Sequence, residues 1–169
     1  MTPHIRRVRR DEGLQLRALR LRALADAPMA FGSTLAHEQT FTDDVWRERA
    51  AGASAGNDRA VFIAERDGQW IGTVTGLARR DVPENVDPII VAMFVDRAAR
   101  RTGVGAGLIE AVCEWVRGWG AARVALWVTG GNESAEELYR RCGFRPTGVT
   151  RPLAHTAGFA EHEMVRDLG

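Results

Sequence analysis

The segment IIVAMFVD, residues 89–96, constrains the fold of this chain more than any other stretch. A strand with one face in water alternates apolar and polar side chains, whereas this segment is apolar without interruption from Ile89 to Val95. Continuous apolar runs of this length are typical of strands that are covered on both faces. The segment therefore predicts a strand deep in a sheet.

The hydrophobic period changes several times along the rest of the chain, which predicts strands and helices in a mixed order. Asp67 and Gly68, between two strand-like segments, form a strong hairpin signal. The predicted elements are a strand at 4–8, a helix at 11–25, a helix that contains Glu38 and Trp46 and ends near residue 50, two strands around Asp67-Gly68, a loop at 79–88, the strand at 89–96, a helix at 103–119, a strand at 122–128, a helix at 132–142 and strands at 145–149 and 160–167. This order predicts a mixed α/β sheet and not a strictly alternating, doubly wound one.

The first predicted helix is apolar on two sides. One face carries the apolar side chains of Leu14, Ala18, Leu21 and Ala25, and the opposite side carries those of Leu16 and Leu19. We therefore expect other elements to cover the second side as well.

The chain has 169 residues, of which 45% are hydrophobic, so it can bury the core of one domain that spans residues 1–169. All 23 of its basic side chains are arginines, and it contains no lysine. The lack of lysine excludes a Walker-type phosphate loop, a protein-kinase site and a Schiff-base enzyme, because each of these needs a lysine amine.

The formal charge of +1 gives no general attraction to nucleic acid or to anionic lipid, and we expect neither as a partner. The N-terminal MTPHIRRVRR carries charge where a signal peptide needs an apolar stretch, and the longest apolar run is too short to span a bilayer. These features predict a cytoplasmic protein. Cys113 and Cys142 lie in apolar helical patterns and are expected to be buried thiols.

The turn RRTGVGAGL, residues 100–108, lies between the central strand and the helix at 103–119. The first amides of a helix have no partner within the helix, so this position favours an anion. Gly103 and Gly105 would let a phosphate approach the main chain. Two interpretations stay open at this point: a pyrophosphate site, or a tight corner that only needed small residues. A dinucleotide fingerprint is excluded, because Leu108 stands where its third glycine would be.

Other motifs give weaker evidence of a functional site. GASAG at 52–56 matches a hydrolase nucleophile elbow, but the elbow needs a strand before the serine and a helix after it, and here that order is reversed. His37, His155 and His162 are too scattered to predict a metal site. RRVRR at 6–10 is more typical of a solvated strand edge than of a nucleic-acid patch.

Two motifs together resemble the GNAT superfamily of N-acetyltransferases. R-x-x-G-x-G at 100–105 is similar to the acyl-CoA-binding motif of that family, and NESAEELYRRCGF at 132–144 is similar to its N-x-x-A-x-x-L-Y-x-x-x-G-F pattern. The resemblance implies a central, mixed, mostly antiparallel sheet of about six to seven strands flanked by about four helices. It implies acetyl-CoA as cosubstrate and no metal. The region up to about residue 60 lies outside the two motifs and is expected to vary with the acceptor.

By this resemblance, the CoA pyrophosphate would lie on the amides of residues 101–106 and its pantetheine arm along residues 93–95. Asn132 and Tyr139 are seven positions apart, so on a helix they share a face about 10 Å from one another along the axis. The implied cofactor-binding residues are Met93, Phe94, Val95, Arg100, Arg101, Thr102, Gly103, Val104, Gly105, Ala106, Asn132 and Tyr139.

Acetyl transfer needs a neutral amine, polarisation of the thioester carbonyl and a proton for the departing thiolate. We predict that Tyr139 supplies the proton as general acid and that the Val95 N–H polarises the carbonyl. The central strand contains no carboxylate, so no general base is identified. Phe31 and Glu38 are the predicted residues of an acceptor pocket for an amphipathic ammonium.

The acceptor is expected to be a primary amine of a small molecule or of a peptide end. A non-catalytic acyl-CoA-binding module with the same fold is the alternative, since no base is evident. The sequence leaves the oligomeric state open, with a homodimer among the alternatives.

Overall fold

Seven strands form one sheet in the computed structural model of this chain, which describes residues 2–81, 86–154 and 156–169. The strands are β1 (His4–Arg7), β2 (Arg59–Arg66), β3 (Gln69–Leu77), β4 (Ile89–Val95), β5 (Arg123–Thr129), β6 (Arg145–Pro152) and β7 (Ala160–Asp167). Their order across the sheet is β1-β2-β3-β4-β5-β7-β6, and neighbours are antiparallel except for β4 and β5, which are parallel. The predicted fold class, a mixed and mostly antiparallel sheet with β4 at its centre, is confirmed. Residues 82–85 of the predicted loop at 79–88 lie outside the described residues.

Among the described residues the α-helices are α1 (Gly13–Asp26), α2 (Leu35–Glu38), α3 (Asp43–Ala53), α4 (Val104–Arg117) and α5 (Glu133–Arg141). The prediction of one helix that contains both Glu38 and Trp46 is wrong, because that stretch forms two helices. Thr42 has an extended backbone and precedes Asp43 and Asp44 in the first turn of α3. A threonine followed by acidic residues typically begins a helix. A new helix therefore begins here, after the single turn of α2.

Helix α1 buries the side that carries Leu16, Leu19 and Leu24, whereas Leu14 is 46% exposed. The predicted apolar face through Leu14 and Ala18 is therefore mainly a solvent face. The second side is covered as expected, because α3 packs on it with the fully buried indole of Trp46. Leucines occur on both sides of α1, so its own periodicity could not decide which side faces the sheet.

The sheet carries a hydrophobic core on each face. Phe62 and Ala64 belong to the core under α4 and α5, and the alternating positions Val61 and Ile63 belong to the core under α1 to α3. Helix α4 buries six side chains, which are those of Val104, Leu108, Ile109, Val112, Cys113 and Val116. Full burial of such a side chain contributes about 1.5 to 3 kcal/mol. The helix is therefore firmly held, and so is the turn at its N-terminus.

Strands β4 and β5 separate after a short paired segment. Each has seven residues, but only Ile89 and Ile90 pair with β5, opposite Ala125 and Leu126. Beyond these pairs β4 bulges, since two of its residues, at positions 92 and 93, face the single residue Val74 of β3. We call the space between residues 91–95 of β4 and 127–129 of β5 the β4–β5 gap. It leaves main-chain groups of a central strand without a neighbouring strand.

Candidate functional site

The turn before α4 curls the main chain into a concave surface of amides. Arg101 has a φ of 64° and Gly103 a φ of 88°, so two left-handed residues lie within three positions. Successive amides in such an arrangement point the same way and form an anion-binding concavity. The Thr102 hydroxyl donates to the carbonyl of Ala99 at 2.6 Å, and this hydrogen bond stabilises the turn.

The amides of residues 101–106 bond to no acceptor in the described part of the chain. The first main-chain bond of α4 runs from the Gly107 N–H to the Gly103 carbonyl, at 3.0 Å. We call residues 101–106 the amide cradle. Unpaired donors at the positive end of a 14-residue helix are suited to a phosphate group.

The two arginines of the motif have different environments. The Arg100 guanidinium donates to the Val95 carbonyl at 2.9 Å and to the Asp26 carboxylate at 2.5 Å. It therefore ties the end of β4 to the end of α1, and a phosphate would have to compete with these partners. Arg101 is exposed and has no ion-pair partner among the described residues. Of the two, Arg101 is the arginine that can reach a bound phosphate.

Gly105 lies where three of the predicted site elements meet. A Cβ atom at this position would be 2.9 Å from Cδ2 of Leu138 on α5 and 3.3 Å from Cε of Met93 on β4. Of the neighbouring cradle residues, Val104 is buried in the core under α4, and Ala106 is exposed. The structure thus brings the cradle, β4 and α5 together, as the two sequence motifs predict.

The register of β4 directs the Val95 main chain into the β4–β5 gap. The Asp96 N–H donates to the Ile71 carbonyl at 2.8 Å, and Val95 lies opposite Gly72. Because hydrogen-bonded and non-bonded pairs alternate in an antiparallel ladder, the Val95 N–H points away from β3. Phe94 is the alternate residue, and its ring is buried in the core under α1 to α3.

Tyr139 lies on α5 beside the core. Its ring packs edge-on against Phe144 with 6.2 Å between the ring centroids, and 8% of the residue is exposed. Burial raises the pKa of Tyr139 to about 12. No hydrogen bond of its hydroxyl is found in the described parts of the structure. The phenol is therefore protonated at neutral pH and has a proton to donate.

Asn132 is the N-cap of α5, where its Oδ1 accepts from the Ala135 N–H at 3.3 Å. Its side chain is exposed, in contrast to that of Tyr139. Capping explains why this residue type begins the second motif. A further contact between Asn132 and the cosubstrate stays a prediction.

Glu38 lies in a different environment from the one that its sequence position suggests. It is 2% exposed, and Arg20 Nη2 donates to its Oε1 at 2.8 Å while Arg20 Nε donates to both carboxylate oxygens. Arg49 Nη1 lies 3.6 Å from Oε2. Burial raises the pKa of Glu38, but the hydrogen bonds and charge of Arg20, a hydrogen bond from Ser33 and the charge of Arg49 together outweigh it and hold the pKa below its usual value. A carboxylate held in this way is a poor base and a poor ligand for an ammonium.

Phe31 and Glu38 both contact Arg20. The guanidinium of Arg20 lies 4.6 Å from the centre of the Phe31 ring, and Phe31 is buried with Phe94 in the core under α1 to α3. Sequence reasoning missed Arg20. The available signal was its spacing, because Arg20 is four residues after Leu16 and three before Ala23, both on the buried side of α1.

The described residues, 2–81, 86–154 and 156–169, contain neither a metal-ion cluster nor a membrane-spanning helix. No group of three or more His, Cys, Asp or Glu side chains there could hold a metal ion. His155 lies outside the described residues. No helix of these segments is long and apolar enough to cross a bilayer.

Comparison with known proteins gives a consistent picture. The family described as Acetyltransferase (GNAT) family matches residues 21–144. An uncharacterized N-acetyltransferase of Methanocaldococcus jannaschii is 32% identical over 102 residues, which are 56% of this chain and 43% of that protein. The chain thus spans less than half the length of that relative.

Two solved structures share the fold. A GNAT-family acetyltransferase from Streptococcus pneumoniae superposes with a TM-score of 0.80 at 19% identity, over 99% of each chain. The yncA protein of Salmonella typhimurium, determined with its cofactor acetyl-CoA, superposes with a TM-score of 0.77 at 16% identity, over 100% of this chain and 95% of that one. The predicted family resemblance and fold class are confirmed.

Proposed function

This chain belongs to the GNAT family of acetyltransferases, and from that premise we propose that it transfers the acetyl group of acetyl-CoA to a primary amine of a small molecule or a peptide end. The observation that carries the proposal is the amide cradle beside the β4–β5 gap. The cradle offers unpaired donors for a pyrophosphate, and the gap offers unpaired main-chain groups for an extended arm. Acetyl-CoA has both parts in one molecule.

The fit is supported by the residues around the cradle. The amides of residues 101–106 and the Arg101 side chain would hold the pyrophosphate, and Gly105 lets the cradle pack closely against Met93 and Leu138. The pantetheine arm would lie along residues 93–95, where the N–H of Val95 faces the gap. When bound, acetyl-CoA supplies a thioester whose carbonyl carbon is open to attack.

Direct attack by the amine then needs two donors from this chain. The Val95 N–H would polarise the thioester carbonyl, and the Tyr139 hydroxyl would donate toward the sulfur as negative charge grows on it. A new C–N bond forms, the C–S bond breaks, the sulfur gains a proton and the amine nitrogen loses one. Since β4 carries no carboxylate, the amine proton would leave through solvent.

An acyl-CoA-binding module without turnover is the competing function, and it is favoured only by this lack of a base. Tyr139 argues for the enzyme, because a buried phenol with a pKa of about 12 keeps its proton for the leaving group at neutral pH. A binding module has no need for that donor.

The test is a thiol-release assay with acetyl-CoA against a panel of primary amines, with the Tyr139→Phe variant alongside. We expect release with at least one amine, and a loss of kcat of about 10² to 10⁴-fold in the variant with little change in acetyl-CoA affinity. Phenylalanine keeps the ring that packs on Phe144, so the variant removes only the O–H. Acetyl-CoA binding without release from any amine would establish the binding module instead. Full turnover by the variant would leave Tyr139 a core residue.

A further inference from the structure

Three arginines from three elements converge on the outer side of the α1–α3 core. They are Arg20 of α1, Arg49 of α3 and Arg59 of β2, and we call them the arginine cluster. Glu38 is the carboxylate that pairs with Arg20 and Arg49. Among the described residues, Arg59 has no ion-pair partner. Glu38 thus pairs with two guanidinium groups, and Arg59 is close enough to feel the charges of both, so the cluster carries two more positive charges than Glu38 balances.

The hydrogen-bonding capacity of the cluster is also incomplete. Arg20 uses Nε and Nη2 on Glu38, while its Nη1 is buried and has no partner in the described structure. Arg49 approaches Glu38 at 3.6 Å, beyond ordinary hydrogen-bond length. Partial burial lowers the pKa of Arg59, and the charges of Arg49 and Arg20 lower it further. Buried donors and mutually repelling cations are costly unless an anion pairs with them.

The cluster lies on the acceptor side of the β4–β5 gap. Arg59 pairs across β3 with Leu77, which pairs with Ile89 at the start of β4. It alternates with Val61 and Ile63, so its side chain is on the α1–α3 face and the amide cradle is on the other face. From strand spacing and rise, the bulge of β4 is about 10 Å sideways and about 10 Å along the strand from the Arg59 Cα. An acceptor entering the gap from this face would therefore extend toward the cluster.

We infer that the acceptor of this site is a small amine that also carries a carboxylate, and that the arginine cluster binds this carboxylate while the amine reaches the β4–β5 gap. The inference rests on the proposed function and names its substrate class. Guanidinium groups bind carboxylates through paired N–H donors, as Arg20 already binds Glu38. The inferred carboxylate acceptor replaces the predicted amphipathic ammonium, because the net charge of the side chains around Glu38 is positive.

Arg59→Gln is the first test, because Arg59 is the first residue of β2 and has no ion-pair partner among the described residues, so its loss leaves no carboxylate unpaired. Arg47→Gln is the matched control, since Arg47 is 58% exposed on α3 and pairs with Asp44 within its own helix. The acceptors are glycine, β-alanine, γ-aminobutyrate, ε-aminocaproate and phenylalanine, each beside its carboxamide. Thiol release with acetyl-CoA gives kcat and KM for every pair.

For the best carboxylate acceptor we expect Arg59→Gln to raise KM at least ten-fold and to leave kcat unchanged. The values for the matching carboxamide should not change, and Arg47→Gln should change neither. Comparing each acceptor between proteins removes differences in amine pKa. Wild-type KM values, expressed for the neutral form of each amine, that are equal for carboxamides and carboxylates would overturn the inference and leave the proposed function intact. Release from no amine at all would overturn both.

A second measurement does not depend on turnover. Calorimetry with hexanoate on the CoA-saturated protein should show saturable binding that weakens at least ten-fold in Arg59→Gln and is unchanged in Arg47→Gln. Lack of hexanoate binding, or equal binding by all three proteins, would overturn the inference. Tighter binding of hexyl phosphate or inorganic phosphate than of hexanoate would also overturn it, because the cluster would then be a phosphate site.

Discussion

Replacing Glu38 with glutamine should destabilise this protein strongly, since the change leaves Arg20 charged beside an uncharged partner. The Glu38 side chain is 3% exposed and that of Arg20 is 18% exposed, so water can replace little of the lost carboxylate. Removing one member of a buried ion pair typically costs about 3 to 5 kcal/mol. Because Arg20 keeps some contact with solvent and the amide oxygen still accepts one bond, we expect a loss of about 3 kcal/mol, at the low end of that range.

Urea unfolding followed by tryptophan fluorescence measures this loss, because Trp46 is buried next to the pair in the same core. The double variant Arg20→Met/Glu38→Leu is the control, since it removes both members of the buried pair and leaves Arg49, whose side chain is 35% exposed, as the charge that loses this carboxylate. It should recover most of the lost stability. A decrease below about 1 kcal/mol in Glu38→Gln, the scale of an exposed pair, would refute the assignment of a buried structural ion pair.

The same pair predicts a pH dependence. The pKa of Glu38 is lower in the folded protein than its ordinary value of 4.5, so its charge stabilises the folded state above that value. This stability is lost as the pH falls through the folded pKa. The difference in unfolding free energy between wild type and Glu38→Gln should therefore be constant near neutral pH and shrink on acidification below about 4.5. A difference that stays constant through that acid range would contradict the lowered pKa.

Three further predictions follow from packing. Gly105→Val should weaken acetyl-CoA binding ten-fold or more by calorimetry, because a Cβ there would lie 2.9 Å from Cδ2 of Leu138 and would force the amide cradle and α5 apart, whereas Gly52→Val on α3, with open space around it, should not. Leu19→Ala should cost about 2 to 5 kcal/mol in urea unfolding and Leu14→Ala under about 0.5, since only Leu19 is buried; equal losses would contradict the face assigned to α1. Burial raises the pKa of Cys113 to about 11, so iodoacetamide should modify it only after unfolding, and rapid labelling of Cys113 itself in the native protein, located by peptide mass spectrometry, would contradict this.

The centre of the fold was predictable from local sequence because its signals are strong and short in range. The uninterrupted apolar run of β4, the Asp67-Gly68 turn and the glycines before α4 each specify one backbone geometry. Their elements formed as expected. The two halves of the GNAT motif lie on α4 and α5, which meet at Gly105 and Leu138. Sequence spacing therefore also predicted which elements meet at the candidate cosubstrate site.

The acceptor side was not predictable in the same way, because its geometry depends on long-range packing. Arg20, Glu38, Arg49 and Arg59 come from four elements, and no periodicity shows that they converge. Glu38 in particular has the sequence context of a solvated helix residue, whereas in the structure it is buried beside Arg20 of α1. The separation of β4 from β5 likewise follows from the bulge at Ala92, whose φ of 54° no residue-type preference of alanine would indicate.

The arginine cluster and Tyr139 both keep their protons over the working pH range of the proposed reaction. Arginine stays protonated through the working pH range of proteins, so the charge of the arginine cluster is permanent. Tyr139, with its pKa of about 12, also keeps its proton there. Neither the Tyr139 hydroxyl nor the arginine cluster should then titrate between about pH 6 and 9. The rise of kcat/KM with pH should therefore follow the pKa of the acceptor amine itself. Acceptors of different basicity should accordingly give pH profiles displaced by the difference in their amine pKa values. A profile fixed at one pH for all acceptors would instead require a titrating base on the protein.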